Sequence, residues 1–281
     1  PTGADRPTVA VGANSFDFST TLWTIKNIIV TTTTANGFRI NATMIKIINC
    51  KAVNSSTTGS RFAFGNSSSG ANSMIERCEG VSYRGHAIGG IQASLQIINS
   101  YLHDSDVGIR QTATAGIQIV GCLVAGNVSS AISFTSAQTS LALISNCTLY
   151  GAETPMGTGI NMVSGSNGVR MYNNIIYGFV TGVSHADSNV SDPTSDYNDY
   201  YNNTTNQTNW IIGPNDQTLN PSFTSVGSVV NTGTVTADAT PGTTLTDSGQ
   251  NFTTAGVVAG QDYLYLISGT NCTAGIYGIT A

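Results

Sequence analysis

The sequence predicts an all-β chain wound as a parallel solenoid. Three observations lead there: a composition poor in charge and in helix formers, a short repeat through most of the chain, and several short strands within each repeat. Of 281 residues only 9% are charged, while 40% are apolar and 31 are glycine. An ordinary soluble domain is roughly 25% charged. Plentiful apolar side chains and a net charge of only -5 exclude disorder. No stretch approaches the ~18 apolar residues a membrane-crossing helix needs. β-branched residues, Asn and Gly stand where a long helix would carry Ala, Leu, Glu and Lys.

The repeat supplies the elements in order. Ile47 to Cys50, Ile97 to Ser100, Ile119 to Cys122 and Ile144 to Cys147 align, and Thr24 to Asn27, Ile75 to Cys78 and Met171 to Asn174 fit the same frame. The closing positions Asn27, Cys50, Cys78, Ser100, Cys122, Cys147 and Asn174 are separated by 23, 28, 22, 22, 25 and 27 residues. Two positions later come Ile29, Ala52, Gly80, Leu102, Val124, Leu149 and Ile176. A second column places an apolar residue after a usually small one: Gly37-Phe38, Arg61-Phe62, Ala87-Ile88, Gly108-Ile109, Ala131-Ile132, Gly159-Ile160 and Gly182-Val183. Each period therefore holds at least two short strands and no helix-length pattern, which winds as a solenoid rather than as a propeller with blades of ~40 residues. Coils stacked ~4.8 Å apart turn such columns into ladders. Small Cys, Ser and Asn side chains suit an inward corner, and the stacked cysteines are expected to be reduced packing residues.

An eighth coil fits Ser195 to Tyr201, with Asn198 continuing the Asn174 column, and Gly213 to Asp216 with Asn220 to Phe223 reads as a closing coil. From about Gly227 the pattern becomes short Thr/Val strands, then Phe252 to Val257, Asp262 to Leu266 and Ile276 to Ile279, a small antiparallel β unit. The expected organisation is a lead-in or cap over 1–20, a solenoid over 21–226 and a small β domain over 227–281.

The ladder pattern over roughly residues 20 to 225 resembles the right-handed parallel β-helix, or pectate-lyase-like, superfamily. The resemblance implies a single-stranded right-handed helix of about eight coils. That fold hosts lyases, hydrolases, adhesins and virus-particle proteins, so it does not name a function. The C-terminal segment is similar to short β modules attached to bacteriophage particle proteins.

Enzymes of the superfamily place acids on an exposed sheet or in the groove beside it. The richest cluster here is Glu76, Glu79, Arg84, His86, His103, Asp104, Asp106 and Arg110. Its weak catalytic candidates are Asp104, Asp106, Arg84, Glu76 and Glu79. Coil alignment sets Lys51 beside Glu79, Ser82 beside Asp104 and Arg84 beside Asp106, so charge pairing accounts for most of the cluster without catalysis. Arg84-Gly85-His86-Ala87 carries only a fragment of the polygalacturonase-type pattern, and the Arg-Ile-Lys run is missing. The calcium-dependent lyase arrangement is incomplete as well. His185 reads as a lone surface residue, and Asn146 as part of a packed ladder. Tyr197, Tyr200, Tyr201 and Trp210 offer a carbohydrate-stacking surface, or else cap the open end of the helix.

All Lys and Arg lie at or before Arg170, so the first 170 residues carry +3 and the remainder -8. Neither part forms a concentrated basic face, which excludes nucleic acid as a partner. No membrane partner is expected. The chain begins at Pro1 without a charged-then-apolar leader, as a processed chain or a piece of a longer protein would. Cys50, Cys78, Cys122, Cys147 and Cys272 contain no CxxC pair, so neither a metal nor another cofactor is expected. The leading expectation is a non-enzymatic virion protein, a bacteriophage capsid decoration or spike-like attachment protein. Its expected form is a homotrimer on a capsid or other virion protein, with a host-surface polysaccharide as a further partner; the outward Leu123 and Ile175 either supply part of the interface or pack under a loop. The alternatives are a polysaccharide lyase or hydrolase and an extracellular or cell-surface adhesin.

Overall fold

The computed structural model describes residues 7–10, 15–56, 61–138, 140–152, 155–187 and 195–221, with the backbone of two further strands, Tyr263–Leu266 and Gly275–Gly278. Pro1–Pro221 and Ser222–Ala281 form two separate compact units.

The first unit is a parallel β-solenoid. Each coil passes through a first, a second and a third sheet, as in Glu79–Ser82, His86–Ile91 and Leu95–Ile98. Among the described residues these sheets have nine, nine and seven strands, and every pairing within them is parallel to the coil before or after. No helix occurs among the described residues. Thr8–Ala10 pairs with Ile29–Thr32 and Phe16–Phe18 with Phe38–Ile40, so the stack already includes residues that the sequence reading gave to a lead-in.

The interior is built from the repeating columns. In the third sheet Ile47, Ile75, Ile97, Ile119, Ile144 and Met171 stack in register, all buried. In the first sheet Ala52, Gly80, Leu102, Val124, Leu149 and Ile176 do the same. Two columns differ from the sequence alignment. Ile25 pairs with Ile47, so Asn27 lies opposite Asn49, Val30 rather than Ile29 meets Ala52, and Ile28 takes the corner. In the second sheet Phe64 rather than Phe62 joins Phe38 and Ile88, and its ring stacks on Phe38 at 5.3 Å. The small residue before that column has a steric cause: a Cβ on Gly108 would lie 2.6 Å from the Ala131 carbonyl oxygen and 2.4 Å from a Val124 methyl.

The turn from the third sheet to the first explains much of the composition. Asn27, Asn49, Arg77, Asn99, Gly121, Asn146, Asn173 and Tyr197 all have positive φ, between 49° and 64°. This is the left-handed region that Gly and Asn tolerate best among the residues. Asn146 is exposed there, a correction to its expected packing. The next residue points inward. The backbone N–H of Cys50 donates to Cys78 Sγ (3.4 Å), Cys78 to Ser100 Oγ (3.2 Å), Cys122 to Cys147 Sγ (3.5 Å), Cys147 to Asn174 Oδ1 (3.0 Å) and Asn174 to Asn198 Oδ1 (3.2 Å). Each corner side chain thus satisfies a backbone donor of the preceding coil that would otherwise be buried unpaired. Cys50, Cys78, Cys122 and Cys147 are free thiols, as expected.

Asn198 passes its own N–H to Asp216 Oδ1 (2.7 Å), so the expected eighth and closing coils continue the ladder. In the second unit Tyr263–Leu266 pairs antiparallel with Gly275–Gly278. The other expected strands of that segment, and Cys272, lie outside the described residues.

Candidate functional site

The acidic cluster divides. On the outer side of the first sheet, Lys51 Nζ lies 2.6 Å from Glu79 Oε1, as the coil alignment predicted. His103, buried one coil on, sets Nε2 3.3 Å from Glu79 Oε1 and Nδ1 2.8 Å from Asp104 Oδ2. With a carboxylate at both ring nitrogens, this geometry suits the imidazolium, in which both nitrogens donate. Burial opposes the charge on His103, but the bonds to Asp104 and Glu79 outweigh it and raise its pKa above 6.5. Burial would likewise raise Glu79, yet hydrogen bonds from His103 and Lys51 hold it down at about 2. The ring of Tyr101 stacks on His103 at 4.0 Å.

The remaining candidates do not converge on this group. Glu76 belongs to the third sheet, where Arg77 Nε lies 3.2 Å away. Asp106 accepts the Ser129 hydroxyl, and its N–H donates to the Gly85 carbonyl, one residue beyond Arg84. The Ser82 N–H donates to Ser105 Oγ at 2.9 Å, a residue past the expected Asp104. Among the described residues no three His, Cys, Asp or Glu side chains are arranged to hold a metal.

The four aromatic candidates form no common platform. Tyr200 is 1% exposed and Trp210 4%, both within the core, which corrects their assignment to a sugar-stacking surface. Tyr200 points inward because it continues the Ile176 column, and Trp210 packs 6.3 Å from His185. His185 is 1% exposed, a correction to its expected surface position: alternation along Thr181–His185 sends Val183 and His185 inward and Ser184 outward. Tyr197 is 58% exposed at its left-handed corner. Tyr201 faces outward and continues a row that sequence reasoning missed. Tyr150 stacks on Tyr177 at 5.3 Å, and Tyr177 meets Tyr201 at 6.0 Å. Its signal was a Tyr directly after the inward Leu149, Ile176 and Tyr200.

A site that the sequence did not reveal lies on the outer face of the second sheet. There Arg39, Gly65 and Gly89 occupy one outward row on adjacent strands, and Arg110 faces outward on the strand after them. The two arginines are thus three strand spacings apart, about 14 Å. Between them the ring of Phe62 covers the glycines: a Cβ on Gly89 would come within 2.3 Å of Cδ1 of that ring. The open groove above has a volume of about 820 Å³, with Arg61, Asn66 and Gln92 also on its walls. Asp17 is the one acid among its described lining residues, 3.8 Å from Arg39 with both side chains well exposed. Three guanidinium groups against one carboxylate make the groove cationic in a chain of net charge -5. Guanidinium groups pair with planar oxyanions through two parallel hydrogen bonds, and an aromatic face with amides beside it can seat a sugar ring.

No protein-family model, curated protein or solved structure matches this chain.

Proposed function

We propose that the chain is a non-enzymatic structural or attachment protein of a virus particle, and that its second-sheet groove holds an oxyanion-bearing surface glycan. The observation that carries this reading is the arginine groove with its Phe62 floor and single carboxylate. Glycoside hydrolysis generally requires two carboxylates flanking the bond. The groove offers cations and a ring surface instead, the chemistry of holding rather than cutting. The acids predicted as catalytic candidates also support the reading, because Glu79 and Asp104 are engaged with His103 and Asp106 with Ser129. Coils bonded to neighbours on both sides suit a part that must keep its shape while displayed. In that setting the chain assembles as a homotrimer on a capsid or another virion protein, and Leu123, 40% exposed, is available to such a contact.

The test combines turnover and retention. Alginate and dextran sulfate should be retained by the protein, neutral dextran should pass, and no unsaturated ends or reducing ends should accumulate with or without calcium. Product formation lost in Asp104→Ala or Asp106→Ala would instead assign a depolymerase. Stoichiometric incorporation into particles, together with a trimer mass in sedimentation, checks the virion setting.

A further inference from the structure

His86 underlies both the cationic end and the floor of this groove. Its Nε2 lies 2.9 Å from Arg110 Nη1. A guanidinium only donates, so this nitrogen must be the acceptor and the ring proton sits on Nδ1. The opposite face of the contact is aromatic: the Phe62 ring stacks on His86 with centroids 5.6 Å apart and planes 23° from parallel. The main chain beneath the ring is anchored: the His86 N–H donates to the Arg61 carbonyl (2.9 Å), and the residue pairs with Phe62 on one side and Val107 on the other. His86 is 4% exposed, and its Nδ1 has no partner.

We propose that His86 is the positioning residue of the groove: as a neutral imidazole beneath the Phe62 ring it aims the Arg110 guanidinium at the ligand, and its protonation releases that guanidinium. This rests on the groove's reading as an oxyanion-glycan site. The charged groups around it set the direction. Arg110 faces it from the next coil, Arg61 precedes Phe62 on the previous coil, Arg84 lies two residues back on its own segment, and Asp106 approaches from the turn before Val107. Burial and then Arg110 push its pKa down to about 4, with Asp106 opposing them more weakly. The neutral form therefore prevails at neutral pH, and acid supplies a second cation beside Arg110.

The experiment measures binding of dextran sulfate oligomers, which stay anionic in acid, to the full chain between about pH 7 and pH 3.5. Wild type should weaken about fourfold by pH 3.5, as pH falls through about 4. His86→Gln, whose amide oxygen can still accept from Arg110, should bind as wild type does at pH 7 and lose the acid step. His86→Leu should weaken binding about tenfold at pH 7, and His86→Leu/Arg110→Ala should be no weaker than Arg110→Ala alone. An acid step of equal size in wild type and His86→Gln overturns the proposal, as does His86→Leu binding like wild type while Arg110→Ala fails; in both cases the groove remains a glycan site. Absence of binding by the wild type at pH 7 overturns the site and His86's role together.

Discussion

His103 Nε2 reaches Glu79 Oε1 across the gap between neighbouring coils at 3.3 Å, while the same carboxylate oxygen takes Lys51 Nζ at 2.6 Å. One oxygen thus ties three successive coils together outside the core.

Stability should carry the signature of this tie in its pH dependence. His103 has a raised folded pKa, so its contribution is complete below its ordinary value of 6.5 and fades as pH rises through the folded value. Glu79 is depressed to about 2, so its contribution is complete above 4.5 and fades as pH falls toward about 2. The cluster is therefore worth most between 4.5 and 6.5. His103→Gln should lower Tm by about 2–4 °C in that window. The deficit should shrink toward both extremes in melts followed by circular dichroism; a pH-independent deficit would dismiss the ion cluster as its cause.

The corner column makes a second prediction. Cys147 Sγ accepts the Cys122 N–H and donates to the Ser145 carbonyl at 3.2 Å. Ser100 already fills the equivalent position one coil before Cys122, bonding the Cys78 N–H and the Ile98 carbonyl. Cys147→Ser should change stability by less than about 1 kcal/mol, whereas Cys147→Val, similar in volume, should cost about 1–3 kcal/mol by leaving backbone groups unpaired. Urea midpoints of the two variants, measured side by side, decide it.

The left-handed turn can be tested independently of the corner. Asn99 sits at φ 49° and Gly121 holds the same place one coil later at 64°. Asn99→Gly should be nearly neutral, and Asn99→Val should cost about 1–2 kcal/mol because a β-branched residue is strained there. Equal losses in both variants would assign the role of Asn99 to its side-chain contacts instead.

Retention by the groove should respond to salt. Arg39 is exposed and only loosely paired with Asp17 at 3.8 Å, so Arg39→Ala should weaken dextran sulfate binding several-fold at low salt. The difference should narrow as ionic strength rises toward about 0.5 M, where screening is short-ranged. Neutral dextran should stay unretained by both proteins at every ionic strength.

The ladders were legible in the sequence because inward residues repeat in type as well as spacing. Ile47, Ile75, Ile97, Ile119 and Ile144 are the same residue, and Cys50, Cys78, Cys122 and Cys147 mark the corner. The misplacements have local causes. Ile28 stands where the pattern expects a small corner residue, which moved Asn27 one place. Phe62 and Phe64 share strand parity, so alternation could not choose between them. Ala63, the small residue before Phe64, could have. Burial of His185 was readable from its parity with Val183, but a lone polar residue near a strand end suggested the surface. The groove was hidden for another reason: Arg39, Phe62 and Arg110 come from three different coils with no shared motif. The glycines under Phe62 carry no side chain that would mark a site: Gly89 lies within a strand, and Gly90, at φ 61°, sits at an irregularity in its pairing.

The one-way passing of hydrogen bonds at the corner also makes the molecule a ruler. Each rung needs only that the next one present a small acceptor at the same place, so whole coils are interchangeable units of length. Excising residues 123–147 would join Cys122 to Thr148, which occupies the position of Leu123, and would leave Asn174 to receive the bond Cys147 once took. The shortened protein would reach about 4.8 Å less far along the stack. Its ends are not equivalent, however: the carboxylate of Asp216 takes the last bond at one extremity, and Ile28 brings no polar group to the other. A protein built in this way can change its span by duplication or loss of a coil while the two terminal rungs stay as they are.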